Sequence, residues 1–357
     1  MEQRMVAKYD YTNKTVYIGI DVHKTTYVCV AICEGTIVKK DSLPAKPESL
    51  VSYLQNTYKD SNIKTCYEAG FSGFHLHRYL VGNEIDNKVI HPASLEVASR
   101  DKTKTDKRDA KKMAEHLYQN RIEGIYIPSV DQESERNLSR LRRTLVKMQR
   151  QTSNRIKSLL HTRGLIPLED ERTVGKKWLT DMQAKIKRQD FHPDFVYTYM
   201  AYKNEWLSLH ETLREIQKKL MDKVSQDNGL RAIYKSAPGI GDIHCNEIAD
   251  ELGDMKQFKS EKSLYNFLGL TPSEYSSGER IRQGNISRQG RSILRAILIE
   301  AAWVAIGKDN SLLTIFKRIE QTRGSKRAIV GVARRLAGRL RSCVLSGSIY
   351  KIEPITA

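Results

Sequence analysis

Residues 15–40, TVYIGIDVHKTTYVCVAICEGTIVKK, hold two β-rich runs and a shorter third. The first run ends at Asp21. The second alternates and stops at the turn pair Glu34-Gly35. The pattern predicts a β-meander. Lys64–Glu68 predicts a further short strand that ends in an acid and is followed by Ala69-Gly70. Phe74–Val81 predicts a helix, Lys88–His91 a buried strand closed by Pro92, and Asp106–Tyr118 another helix. Strands first, then mixed strand and helix, predict an α/β domain over 15–127.

Beyond residue 127 the apolar period lengthens to that of helices. Leu138, Leu141, Leu145 and Met148 step by 3, 4 and 3, and Trp206, Leu209, Leu213, Ile216 and Leu220 by 3, 4, 3 and 4. Gly164, Pro167, Gly175 and Pro193 interrupt the stretch between them. The spacing predicts two helical arms over 128–227, as an antiparallel hairpin or an oligomerising coiled coil. Two ordinary amphipathic helices of one bundle have the same period. Residues 228–347 read as mainly helical. Ala237-Pro238-Gly239-Ile240-Gly241 lies there ahead of a helical pattern, as in a helix-hairpin-helix, whose turn amides can hold a DNA phosphate without reading sequence.

Charge narrows the function classes. The 357 residues include 60 Lys and Arg against 42 Asp and Glu, a formal net charge of +18. Such an excess commonly marks a phosphate-binding face. It gathers on the first arm, at Arg136, Arg140, Arg142, Arg143, Lys147 and Arg150, and over 308–346, which includes Arg334, Arg339 and Arg341. A hydrophobic fraction of 39% is too high for a disordered chain. No run of about 18 apolar residues is present to span a bilayer. The opening MEQRMVAKYDYTNK lacks the apolar segment of a secretory signal. The five cysteines are scattered without zinc spacing, so reduced thiols in a cytosolic protein are expected.

Four acids carry candidate chemistry. Asp21 and Glu68 end apolar strand runs, and Asp106 and Asp109 lie three apart on one helix face. Converging at one sheet edge, they would repel one another unless cations neutralised them. Mg²⁺, a hard cation that takes oxygen ligands, is the natural partner, and a pair of such ions stabilises the attacking and leaving oxygens of a phosphodiester. Each acid has a plainer reading. Asp21 fits a turn or the phosphate site of an actin-like kinase, Glu68 a solvated strand end, and Asp106 and Asp109 a favourable pair at a helix N-terminus.

YIGIDVHK (17–24), CYEAG (66–70) and KTDKRDAKKMAEHL (104–117) resemble the N-terminal half of insertion-sequence transposases of the one-hundred-and-ten type. APGIG (237–241), FLGLTPSEYSSGERIRQGNISRQG (267–290) and LRAILIEAAW (294–303) resemble that family's C-terminal half. The order is the family's, and the resemblance covers nearly the whole chain. It implies a RuvC-like domain of the RNase H fold over 15–127, with Asp21, Glu68, Asp106 and Asp109 as its metal-binding catalytic set. It implies a coiled-coil region over 128–227 and a transposase domain over 228–347 that carries a nucleophilic serine before a glycine. That position is Ser277, with Ser276 as the neighbouring candidate. Arg288 stands where the family usually has a lysine, which keeps a cation but changes its hydrogen-bond geometry. The implied partners are donor and target DNA, a structured non-coding guide RNA encoded by the element, and further copies of the chain, as dimers assembling into a tetramer. The implied location is the cytoplasm of a prokaryote, at the nucleoid, with no membrane partner.

A serine nucleophile has a chemical rationale: a phosphoserine conserves the phosphodiester bond energy that hydrolysis discards, so strands can be rejoined without ATP. The competing readings are a RuvC-like nuclease that hydrolyses DNA junctions with the acids alone, and a non-catalytic nucleic-acid scaffold, which would not require the full acid set.

Overall fold

The computed structural model describes residues 9–92, 106–274 and 283–355. They fall into two compact units that divide between Ile127 and Pro128.

In the first unit, β1 (Thr15–Val22), β2 (Thr26–Cys33) and β3 (Thr36–Pro44) form an antiparallel meander. Glu34 and Gly35 both take positive φ, 51° and 78°, which suits the tight turn between β2 and β3. Helix α1 (Pro47–Thr57) leads to β4 (Asn62–Glu68), and α2 (His75–Gly82) leads to β5 (Asp86–Ile90); α3 (Asp106–Tyr118) follows. The sheet order is β3-β2-β1-β4-β5, with β4 parallel to β1 and β5 parallel to β4. One face buries Val16, Ile18, Ile20 and Tyr67 with Leu50, Leu54, Leu76 and Leu80 of α1 and α2. The other buries Cys66 and Ile90 with Met113 and Leu117 of α3, and Val28 and Val30 with Ala110. Covered on both sides, the central strands read as nearly continuous apolar runs.

In the second unit, α4 (Val130–His161) packs along α6 (Pro193–Gln226), with α5 (Lys176–Lys187) between them in sequence. Ser129 caps α4 by accepting the Gln132 amide at 3.1 Å, and Pro193 opens α6 at a position that needs no amide donor. Ile156, Leu160, Leu179, Tyr199 and Trp206 form the core of the distal part. Next come α7 (Leu230–Lys235), α8 (Asp242–Leu252), α9 (Glu261–Leu268), the paired strands β6 (Pro272–Glu274) and β7 (Gln283–Ile286), then α10 (Ser292–Ala305), α11 (Asn310–Arg323) and α12 (Ser325–Ser346). Their helices enclose a core that includes Ile248, Leu264, Leu298, Val332 and Leu336.

The two apolar seams of the arms have different fates. Trp206, Leu209, Leu213, Ile216 and Leu220 of α6 are all buried. In α4, Leu141 and Met148 are exposed, and Leu138 and Leu145 only half-buried. The stripe that α4 turns inward is Arg136, Ser139, Thr152, Ile156 and Leu160. Polar anchoring to α8, described below, sets the rotation of the helix in place of its leucines. The predicted glycine turn does join α7 to α8. Gly239, at φ 83°, sits so close to α10 that a β-carbon would lie 2.7 Å from the Ala301 Cα. Among the described residues no helix is long and apolar enough to cross a membrane. All five cysteines are free, and burial pushes the Cys66 thiol up to about 12.

Candidate active site

The site is built from strand parity and one glycine. Val16, Ile18 and Ile20 point to the α1/α2 face, so Tyr17, Gly19 and Asp21 point to the other. β1 and β4 run parallel with Gly19 opposite Cys66 and Ile20 opposite Tyr67. One step further along the same register, Asp21 and Glu68 come side by side at the carboxyl ends of adjacent parallel strands. Such ends are where open α/β sheets place their ligand sites.

Helix α3 covers this face. Tyr118 meets Tyr17 edge to face, with ring centroids 5.4 Å apart. The Cys66 thiol donates to the Met113 carbonyl at 3.6 Å. At Gly19 the approach is closest: a β-carbon there would lie 2.6 Å from the Ala114 nitrogen and closer still to the Ala110 oxygen. The helix therefore runs opposite to β1, with Tyr118 over Tyr17 and Ala114 and Ala110 over Gly19. Its first turn, which holds Asp106 and Asp109, points toward the Asp21 end of the strand. Its amino terminus favours negative charge there.

Asp21 is partly buried, with 21% of its side chain exposed, and its Oδ2 lies 3.3 Å from His23 Nε2. Asp109 and Glu68 are likewise partly exposed. The backbone of α3 includes Asp106, but the Asp106 side chain lies outside the described residues. Among the described residues, no three His, Cys, Asp or Glu side chains form a closed metal-ligand group. The register brings Asp21, Glu68 and the start of α3 to one edge of one face. Their donor set consists of carboxylate oxygens, which suits a hard divalent cation.

Ser277 and Ser276 lie outside the described residues, as do Arg280 and Arg282. What is described are the strands that flank that segment in sequence. β6 and β7 pair on either side of it, with Pro272 opposite Ile286 and Glu274 opposite Gln283. The Ser273 hydroxyl donates to the Asn285 carbonyl at 3.0 Å. Arg288 takes a positive φ of 55° and is exposed. Beyond it, Gly290 lies so close to Phe267 that a β-carbon would be 3.0 Å from that residue's carbonyl carbon, and the Arg291 amide donates to the Phe267 oxygen at 3.0 Å. This fastens the segment after β7 to the end of α9.

Sequence reasoning passed over Gly19 and His23. A glycine inside a strand is the signal of close backbone approach and would have located α3. The basic face expected on α4 requires correction. Arg136 donates to the Asp250 and Glu251 carbonyls at 2.7 and 2.9 Å. Arg140 forks onto Glu251 at 2.9 and 3.1 Å. Arg143 bonds Glu247 at 2.8 Å, with Arg142 at 3.6 Å from the same acid. The Ser139 hydroxyl donates to the Asp250 carboxylate. These four arginines anchor α4 to α8 inside the unit. Lys147 and Arg150 make no ion pair among the described residues. Part of the C-terminal basic cluster is also structural: Arg339 holds Asp309 at 3.1 Å, Arg341 donates to the Phe258 carbonyl at 2.7 Å, and Arg334 lies over the Tyr265 ring at 5.0 Å.

Comparison with known proteins adds a separate line of observation. A transposase model of the DEDD type from IS110 elements matches residues 18–163, and the Transposase IS116/IS110/IS902 family model matches 231–316. The chain is 27% identical over 351 residues to the y4qE protein of Sinorhizobium fredii, which carries a transposase name; the match covers 95% of this chain and 83% of that one. It is 26% identical to the transposase of insertion sequence element IS1533 from Leptospira borgpetersenii, over 81% of this chain and 85% of the relative. It is 24% identical to the pilin gene-inverting protein of Moraxella bovis, over 90% and 92%.

Proposed function

Because the chain belongs to the IS110-type transposases, with an N-terminal DEDD domain, we propose that it cuts and rejoins DNA through a phosphoserine formed on Ser277, with Asp21, Glu68, Asp106 and Asp109 as the acidic set of the reaction. The observation that carries this reading is the register that sets Asp21 beside Glu68, on the face where the first turn of α3 arrives. The strand order β3-β2-β1-β4-β5, with its antiparallel meander and two parallel strands, supports an RNase H-like reading of the domain.

In the first step the Ser277 oxygen attacks phosphorus, an Oγ–P bond forms, and the bond from phosphorus to the 3′-oxygen breaks. The proton that the serine hydroxyl gives up balances the one that the departing 3′-oxygen takes up, so that oxygen leaves as a hydroxyl. In the second step a 3′-hydroxyl of another strand attacks the phosphoserine and releases the serine. One phosphodiester is exchanged for another, so no external energy source enters. The four carboxylates would hold a divalent cation such as Mg²⁺, which would supply neutralisation of the charge that develops on the phosphodiester. A relative whose name is that of a pilin gene-inverting protein favours recombination over hydrolysis, since an inversion leaves every end rejoined.

The partners under this reading are donor and target DNA, an element-encoded structured RNA that reads sequence by base pairing while the protein reads backbone and shape, and other copies of the chain. The exposed Leu141 and Met148, with half-buried Leu138 and Leu145, offer an apolar stripe for association between copies.

The test is covalent capture. Full-length protein, guide RNA, Mg²⁺ and supercoiled plasmid should give a protein–DNA adduct that survives detergent and is lost in both Ser277→Ala and Asp21→Asn. Continued cutting by Ser277→Ala, with ends free of protein, would replace the recombinase mechanism with a hydrolytic one. An adduct that persists in Ser277→Ala would move the nucleophile elsewhere.

A further inference from the structure

A pocket of about 540 Å³, lined about equally by polar and apolar groups, opens in the distal part of the second unit, between α4, α6 and the segment leading into α5. That volume lies in the range of small-molecule sites and is large enough for one nucleotide. Gln149, Arg150, Ser153, Asn154 and Lys157 line it from α4, at the three- and four-residue spacing of a single helix face.

The walls are held in place. Trp206 forms part of the lining, donates its indole N–H to the Ser153 hydroxyl at 2.9 Å, and stacks on His210 with ring centroids 4.9 Å apart. On the facing side, the Lys157 ammonium donates to the Asp170 carbonyl at 2.9 Å. Arg172 forks onto the Asp170 carboxylate at 3.0 and 2.6 Å, which holds that carboxyl down at about 2. Glu171 is the one acid in the lining.

Of the cations that line the pocket, Lys157 and Arg172 are bonded to Asp170, and the one that stands out is Arg150. The arginines of α4 at 136, 140, 142 and 143 are all committed to α8, whereas Arg150 is exposed and makes no hydrogen bond or ion pair among the described residues. Asn154 and Thr173 add exposed amide and hydroxyl groups to the same opening. A guanidinium that can bind bidentately, next to neutral donors in a pocket of this size, matches a phosphate with its attached sugar and base.

We propose that this pocket holds one nucleotide of an unpaired nucleic-acid strand, with Arg150 on the phosphate. A duplex cannot occupy it, because its bases are turned inward. The proposal rests on the recombinase reading for the presence of nucleic-acid partners and adds to it a place where a single strand is gripped. An unpaired segment of RNA and a displaced strand of DNA share this sugar–phosphate chemistry.

The experiment is fluorescence anisotropy with the full-length protein and one labelled oligonucleotide sequence, offered as single-stranded RNA, single-stranded DNA and duplex. The variants are Arg150→Gln, Asn154→Trp (which fills the opening) and Lys147→Gln as an equal charge change on the same helix outside the pocket. Arg150→Gln and Asn154→Trp should each weaken single-strand binding about tenfold, while Lys147→Gln changes it about twofold or less. Both Arg150 and Asn154 are exposed, and unfolding curves matching the wild type check that the fold survives. A preference for the RNA arm names the RNA as occupant, and a preference for the DNA arm names the displaced strand. Equal losses in Arg150→Gln and Lys147→Gln, or duplex binding with the same sensitivity, would overturn the pocket in favour of diffuse attraction. If Arg150→Gln binds single strands normally while Asp21→Asn abolishes the covalent adduct, the pocket is wrong and the recombinase reading stands. If single-strand binding depends on the pocket in a protein that forms no adduct, the pocket stands and the recombinase reading falls.

Discussion

Gly19 is the position where a single added carbon does most harm. Its missing side chain lets α3 lie against β1, and that contact aims the helix's first turn at Asp21. The atoms in the way are backbone atoms of Ala110 and Ala114, which cannot swing aside as a side chain would. Gly19→Ala should therefore destabilise the first unit by about 3 kcal/mol, the upper part of the overpacking range. Urea unfolding followed by circular dichroism checks this, with Ile18→Val on the opposite face as a reference expected to cost only about 1 kcal/mol. A Gly19→Ala variant as stable as the wild type would show that α3 is free to move. The placement of Asp21 and Glu68 at the ends of β1 and β4 was legible in the sequence, because each closes an apolar strand run. His23 was not, since its position beside Asp21 depends on the chain reversing so that the His23 amide meets the Thr26 carbonyl at 2.9 Å. Ser277 was reached only through the family resemblance, because its chemistry in isolation is that of any serine in a polar loop.

At the scale of elements, the helices show where periodicity informs and where it misleads. The α6 seam is buried as its spacing predicts, since each apolar residue finds apolar neighbours in the same unit. The α4 seam does not follow, because Arg136, Ser139, Arg140 and Arg143 fix the helix's rotation against α8. Those partners lie far away in sequence: Glu247 is 104 residues from Arg143, beyond the reach of any local pattern. Helix α11 gives a second case. Its cap Asp309 is fully buried and accepts from the Ser311 and Leu312 amides at 3.1 and 3.2 Å, from the Tyr350 hydroxyl at 2.8 Å and from Arg339. Burial alone would raise this carboxyl, but the Ser311 and Tyr350 hydroxyls, the Leu312 amide and the Arg339 charge together hold it below its ordinary value of 3.8. Below that value the unfolded chain takes up the proton first, so stability rises with pH across the window and is lost as pH falls through the folded value. Asp309→Asn should cost about 2 kcal/mol at neutral pH and flatten the decline of stability below about pH 4. Thermal melts from pH 2 to 7 check this; a variant with the wild-type acid limb would remove Asp309 from the balance.

For the whole molecule, the surplus of positive charge is less of a binding surface than composition suggests, because much of the first-arm cluster is spent on internal acids. What stays exposed on α4 is an apolar stripe and the cations beyond it. Replacing Leu141 and Met148 together by Glu should shift sedimentation toward smaller species without altering the unfolding curve, since both side chains are already exposed in the single chain. Unchanged sedimentation would take α4 out of the assembly. The change of apolar period near residue 127 coincides with the boundary between the two units, while 128–227 and 228–347, read apart in the sequence, fall within one unit; the direction in which α3 crosses the sheet was not legible, being set by packing at one glycine. Under the proposed function, strand register and Gly19 gather the acids into a site for a divalent ion. Titration of full-length protein with Mn²⁺, followed by electron paramagnetic resonance, reads out that site. Asp21→Asn, Glu68→Gln and Asp109→Asn should each weaken Mn²⁺ binding about tenfold or more. Three variants that bind the ion as the wild type does would contradict the account.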